Sequence, residues 1–208
     1  MNKMTRRSLG VAGFALVLVA STSFAQQQNV RVRGTVEKAD GNMITVKSRD
    51  GADLTLKLKD DAVVRGIVKA SLADVKGGSM VGITSMPQAD GSLKAVEVHI
   101  FPANQNVNQT HSQWDLMPNT MMTNGQVQTS VAAVDGQVLT VQYKMGDKVD
   151  EKKISITPQT VIVSYVPSDK AELKPGVKVF VANAPKAADG TIDVSSISYG
   201  KDGMTPPM

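Results

Sequence analysis

The chain has no cysteine, which removes disulfides, thiol nucleophiles and thiolate metal sites from consideration. It has two histidines, His99 and His111, so any imidazole chemistry must use one of them. Aromatic residues make up 4% of the chain, and Tyr143, Tyr165, Phe180 and Tyr199 all fall in its second half, which leaves little for a surface that stacks nucleic-acid bases. After Ala25 no apolar run approaches the roughly 20 residues of a membrane-spanning helix. There is no Gly-x-Ser-x-Gly turn, Walker loop or His-Glu-x-x-His helix. Six of the fifteen Asp residues stand before Gly, where turn formation explains them. An enzyme is not expected.

What is present begins with Met1 to Ala25. A basic start (Lys3, Arg6, Arg7), an apolar run from Leu9 to Ala20 and Ser23-Phe24-Ala25 before Gln26 make a secretory signal peptide with cleavage after Ala25. The Arg6-Arg7 pair matches a twin-arginine signal only in part, and the general export route is favoured. The leader carries three of the 23 Lys and Arg and none of the 19 Asp and Glu, so the remainder has a formal charge of +1, 20 against 19. The high sequence pI thus belongs largely to the leader, and no basic surface for a phosphate backbone is expected. Nucleic acid is excluded as a partner on that ground. The expected location is the periplasm or the exterior.

The rest reads as two copies of one small β-unit. Residues 34–46 (GTVEKADGNMITV) match residues 129–141 (TSVAAVDGQVLTV), and ADVKGG at 73–78 matches AELKPG at 171–176. Apolar residues alternate, as half-buried strands require: Val30, Val32 and Val36; Leu54, Leu56 and Leu58; Val96, Val98 and Ile100; then Ile154 and Ile156, Val161, Val163 and Tyr165, and Val177, Val179 and Val181. Asp-Gly pairs beginning at 40, 50, 90, 135 and 189 supply turns. A short helix is expected after Ser71 and again after Ser168. Three strands, a short helix and two strands is the order of an OB-type barrel. The expectation is an all-β chain of two tandem five-stranded OB-like barrels, residues 26–100 and 126–200, each with a short helix. An SH3-like barrel or a pair of packed β-sandwich halves is the alternative. Residues 201–208 are expected to be disordered.

Between the units lies the stretch 101–125, FPANQNVNQTHSQWDLMPNTMMTNG, far longer than an ordinary connection. With GTVEKADGNMITV, ASLADVKGG and the linker core HSQWDLMPNTMMTNG, the chain resembles a secreted bacterial family of tandem small β-barrels of unknown function, some relatives of which carry a metal transporter permease label. The resemblance implies architecture and location, and no activity. The linker holds the residues best suited to unusual chemistry. His111 and Asp115 are four apart, and Met117, Met121 and Met122 add soft thioether ligands that suit copper, while imidazole suits copper or zinc. His99 is a further candidate ligand. The competing expectation is packing, with Trp114, Leu116 and Phe101 pinning an ordered linker to the barrels. Asn124-Gly125 reads as the turn into the second unit. The sequence therefore points to an exported, non-catalytic periplasmic binding or protein-interaction module, with another envelope protein as partner. A copper- or zinc-binding protein using the linker cluster is the alternative.

Overall fold

Alternation is the local cause of the architecture. In the stretch from Asp53 to Lys69 the side chains of Leu56 and Leu58 are buried while Thr55, Lys57 and Lys59 are exposed, the two-residue period of a strand with one face on a core. The same pattern recurs along the chain, and a computed structural model describing residues 28–208 is built of twelve strands. The expected leader, Met1 to Ala25, lies outside the described residues. The strands are β1 (Asn29–Asp40), β2 (Met43–Ser48), β3 (Asp53–Lys69), β4 (Met80–Pro87), β5 (Leu93–Ile100), β6 (Thr110–Trp114), β7 (Thr120–Ala133), β8 (Gly136–Met145), β9 (Lys148–Ile156), β10 (Val161–Pro167), β11 (Lys178–Pro185) and β12 (Ile192–Gly200). The glycines of the five Asp-Gly pairs all have positive φ. The segments expected to be short helices are three-residue 3₁₀ turns, Leu72–Asp74 and Lys170–Glu172. Glycine or Pro-Gly comes after each so closely that no α-turn can develop. Among the described residues no helix is long and apolar enough to cross a membrane.

Pairing departs from the expected succession. Strands β12-β11-β1-β2-β3 are neighbours in that order, and parallel pairing of β3 with β12, from Leu56↔Ile192 to Ile67↔Gly200, closes them into a five-stranded barrel. The further strands run β5-β4-β7-β8-β9, with β5 meeting β9 at Leu93↔Ile154 and Lys94↔Ser155. Strand β10 lies antiparallel to β3 and parallel to β5, joining the two groups, and β6 adds to β7. The strands are therefore not grouped as 26–100 and 126–200. The closed barrel takes β1 to β3 from the first half and β11 and β12 from the second; the other group takes β7 to β9 from the second half and β4 and β5 from the first. Strand β3, 17 residues long, pairs with β2 and β12 of the barrel along most of its length and with β10 only at its end, from Arg65 to Lys69.

Each core is correspondingly mixed. Leu173, from the second half, is buried with Leu56, Leu58, Ile44 and Val194 in the barrel, while Val75, from the first half, is buried with Leu139, Val141 and Ile154. The halves repeat one another's hydrogen bonds: the Val36 N–H donates to the Val177 carbonyl and the Gly176 N–H to that of Val36, just as the Val127 N–H donates to Ser79 and the Gly78 N–H to Val127. Gly34-Thr35-Val36 therefore corresponds to Gly125-Gln126-Val127, not to the Thr129-Ser130-Val131 that the sequence match selected. Val36 pairs with Val46 ten residues on and Val127 with Val141 fourteen on, so the second hairpin is longer, and a match anchored on its Asp-Gly turn slides along the strand. Asn124-Gly125 is accordingly no turn but part of β7. Glycine is required there because a Cβ would stand 2.3 Å from the Gln142 carbonyl oxygen, as one on Gly34 would from that of Lys47.

A third apolar cluster fills the seam between the two groups: Ile67, Val163, Phe180 and Met208, with Trp114, Tyr165 and Met204 against them. Residues 201–208, expected to be disordered, are held here. A tight turn at Lys201–Gly203, with Asp202 at φ 53°, directs the tail back over the seam. The Met208 side chain is 1% exposed, its Sδ accepts from the Tyr165 hydroxyl at 3.2 Å and its main-chain oxygen accepts from Arg33 Nε at 2.6 Å. The composition of the tail concealed this, because the anchor is a single residue at its far end.

Candidate functional site

The residues that open onto the seam come from β1, β2, β11, the tail and the turn after β6. In β1 alternation sends Val32 and Val36 into the barrel and Arg31 and Arg33 outward toward the seam. Strand β6, which had not been foreseen, ends at Trp114, and a turn carries Asp115 and Leu116 across to those arginines. Thr120 holds that turn, its hydroxyl 2.8 Å from the Met117 carbonyl and 3.1 Å from that of Trp114, with Asn119 in the left-handed region at φ 63°, which Asn tolerates better than most residues.

Arg31 lies flat on Trp114, its guanidinium carbon 3.7 Å from the ring centroid, a cation–π contact. Arg31 Nη1 and Arg33 Nη2 both reach Asp115 Oδ1, at 2.7 and 2.8 Å. Burial alone would raise the Asp115 carboxyl; hydrogen bonds and charge from Arg33 and Arg31 outweigh it and bring it down to about 2. Trp114 thus packs between Arg31 and the seam cluster, and Asp115 is paired with two arginines.

Beside this junction is a cleft of about 580 Å³, within the size range of small-molecule and peptide sites. Its floor is apolar, with Leu116, Val179, Pro206 and Met208; its rim carries the cations Arg33, Lys47, Arg49 and Lys178 against one carboxylate, Glu37. Lys47 is paired with Asp53 at 2.6 Å, and Lys178 Nζ donates to Thr205 Oγ1 at 2.7 Å. The Arg49 guanidinium makes no ion pair or hydrogen bond among the described residues. Two further hollows adjoin the cleft, of about 680 and 270 Å³, and Arg49 lines both.

The remaining candidate ligands are dispersed. Met117 and Met121 line the hollow next to Asp115. His111, on β6, faces the other way: its Nδ1 is 2.9 Å from Thr123 Oγ1 and its ring lies 5.7 Å from that of Tyr143. Burial, reinforced by Lys152, holds its pKa below the usual imidazole value. Met122 is 2% exposed and is paired across the sheet with Thr84. His99, expected to face outward, is 4% exposed and sits edge-on to Phe101, 4.6 Å away, with Tyr165 stacked on Phe101. Its Nδ1 meets Glu97 Oε1 at 2.6 Å, and Glu97 Oε2 accepts from the Thr84 hydroxyl at 2.8 Å. A Cβ on Gly82 would stand 2.0 Å from His99 Nε2, so glycine makes room for the ring. The six sequence candidates, His99, His111, Asp115, Met117, Met121 and Met122, therefore do not converge, and among the described residues no group of three His, Asp or Glu is placed to hold a metal.

Sequence reasoning missed Glu97 and the cleft. Glu97 was discoverable, being two residues from His99 and hence on the same face of β5. The cleft was not, because Arg33, Arg49, Leu116, Lys178 and Met208 come from five separate segments. Comparison of the chain with family models, with curated proteins and with solved structures finds no match.

Proposed function

We propose that the protein is an exported, non-catalytic binding or protein-interaction module of the periplasm or cell exterior, and that the cleft around Arg49 is where it binds. One observation carries this reading: a cleft lined by apolar side chains and four cations, of which Arg49 has no partner among the described residues. A cation left unneutralised beside apolar surface favours an anionic ligand that also buries carbon. The strand sequence supports the finer architectural reading as well. Each group has the order one-two-three-five-four of an OB-type barrel when β11 and β12 complete β1 to β3, and β4 and β5 complete β7 to β9. We read the chain as a duplicated OB-like unit whose copies have exchanged their last two strands.

The metal reading is the weaker of the two, since its residues are divided between the cleft, the His111 face of β6 and the His99 pocket. The test is crosslinking in intact cells that express the full chain, comparing wild type with Arg49→Glu. A specific crosslinked species that the variant loses supports the binding reading, and an unchanged pattern overturns it. Metal analysis of the purified protein runs beside it, with His111→Ala and Met121→Ala; stoichiometric copper or zinc lost in those variants would restore the alternative.

A further inference from the structure

The ligand class can be narrowed, on the premise that the cleft is the binding site. We infer that it takes an extended acidic peptide segment of a partner protein, laid along the trough that runs past Arg49 from Lys178 toward Met121.

Shape is the first reason. The three hollows adjoin through Arg49, and Leu116 is shared by two of them. Together they form a trough that starts on β11 of the barrel and ends against Pro87 and Met121 of the other group. An extended chain fits such a trough, whereas an acyl chain is stabilised chiefly by complete removal from water.

Charge is the second. Arg49 is the wall common to all three hollows, and the buried Arg31 Nε and Trp114 Nε1 beside it have no hydrogen-bond acceptor. Unused donors around an unpaired guanidinium are complementary to carboxylates, which accept bidentately from arginine.

The third reason is that an extended segment already forms part of the cleft lining. The segment Thr205-Pro206-Pro207-Met208 lies along one wall, where Lys178 takes the Thr205 hydroxyl, Arg33 takes the Met208 main-chain oxygen, and the Met208 side chain enters the seam. Lys178 and Arg33 are engaged by this tail, which leaves Arg49 as the rim cation for a second chain beside it. Proline-rich segments suit such a site, because their preset extended backbone loses little entropy on binding.

Trp114 is the single tryptophan of the chain and lines the trough, so its fluorescence reports on occupancy. The experiment titrates the full protein with a synthetic peptide of alternating Glu and Pro, with its Lys-Pro counterpart, and with dodecanoate. The Glu-Pro peptide is expected to shift the Trp114 emission saturably, to weaken as salt screens the charges, and to bind Arg49→Glu at least about tenfold less tightly, a difference of about 1.4 kcal/mol. Arg49→Lys is expected to retain part of the affinity, and circular dichroism checks that both variants are folded. A response to dodecanoate but not to Glu-Pro overturns the peptide and leaves the cleft as a site for an acyl anion. An equal response to the Lys-Pro peptide overturns the charge argument. If no probe moves Trp114 and the cell crosslinks are unchanged in Arg49→Glu, the peptide and the binding reading fail together.

Discussion

The Asp115 carboxylate stands between the Arg31 and Arg33 guanidiniums, which makes acid the natural probe of the seam. Its pKa of about 2 in the folded protein lies below the roughly 3.9 of an unfolded aspartate. Its stabilising contribution is therefore complete above about pH 4 and is lost as the pH falls toward about 2. The thermal midpoint of the wild type is expected to decline more steeply across that window than that of Asp115→Asn; parallel slopes would mean that solvent screens the pair, which is half exposed. Deeper in, Glu97 is fully buried with His99 and Thr84. Removing one partner of such a set strands the others. Glu97→Ala is expected to cost about 3–5 kcal/mol in urea unfolding, and Glu97→Gln, which keeps a hydrogen-bonding group, distinctly less. Gly82→Ala should also destabilise, since its methyl would occupy the space of the His99 ring. At this scale the sequence displayed that Glu97 and His99, two residues apart, share a face of one strand. It did not display that Asp115 faces arginines more than eighty positions away.

Strand identities were legible because alternation is a local property, while faces were less so wherever a bulge intervened. The expected inward set Val96, Val98 and Ile100 is broken by the irregularity opposite Thr84 and Ser85, so that Leu93 and Ala95 face the core on one side of it and Val98 and Ile100 on the other. One inserted residue reverses the parity of everything beyond it. The two faces of β3 serve different clusters: Leu56, Leu58 and Val64 belong to the barrel, and Ile67, three residues beyond Val64 and so on the opposite face, to the seam. Each 3₁₀ turn matters through the apolar residue at its C-terminal end, Val75 or Leu173, which it delivers into a core. Leu173 is 1% exposed inside a barrel whose first three strands belong to the other half. Leu173→Ala is expected to lose about 2–5 kcal/mol without forming a separate unfolding phase. Fluorescence from Trp114 and far-ultraviolet circular dichroism should then give coincident transitions; divergent midpoints would show that the two strand groups unfold independently.

For the whole molecule, each group of strands draws members from both halves of the chain. The linker between β5 and β6 needs no integrity for that, because the halves are joined by the ladders β1–β11, β3–β12 and β4–β7. A protease site placed within residues 103–107 and cut in the folded protein is expected to give two pieces that elute together on size exclusion and separate only in denaturant. Separation in native buffer would contradict the exchange of strands. The binding cleft belongs to this scale as well, since its walls come from both halves, the turn after β6 and the tail.

By itself the sequence determined most of the strands, most of their turns and the all-β class, all of which depend on residues close together along the chain. Tertiary structure alone decided which strands pair, where the tail lies and which cations line a cleft. Alternation specifies that a segment is a strand and which face is apolar, and leaves its neighbours open. Those are set by contacts between residues far apart in sequence, such as the ladder of β3 with β12 and the seam cluster that buries Met208.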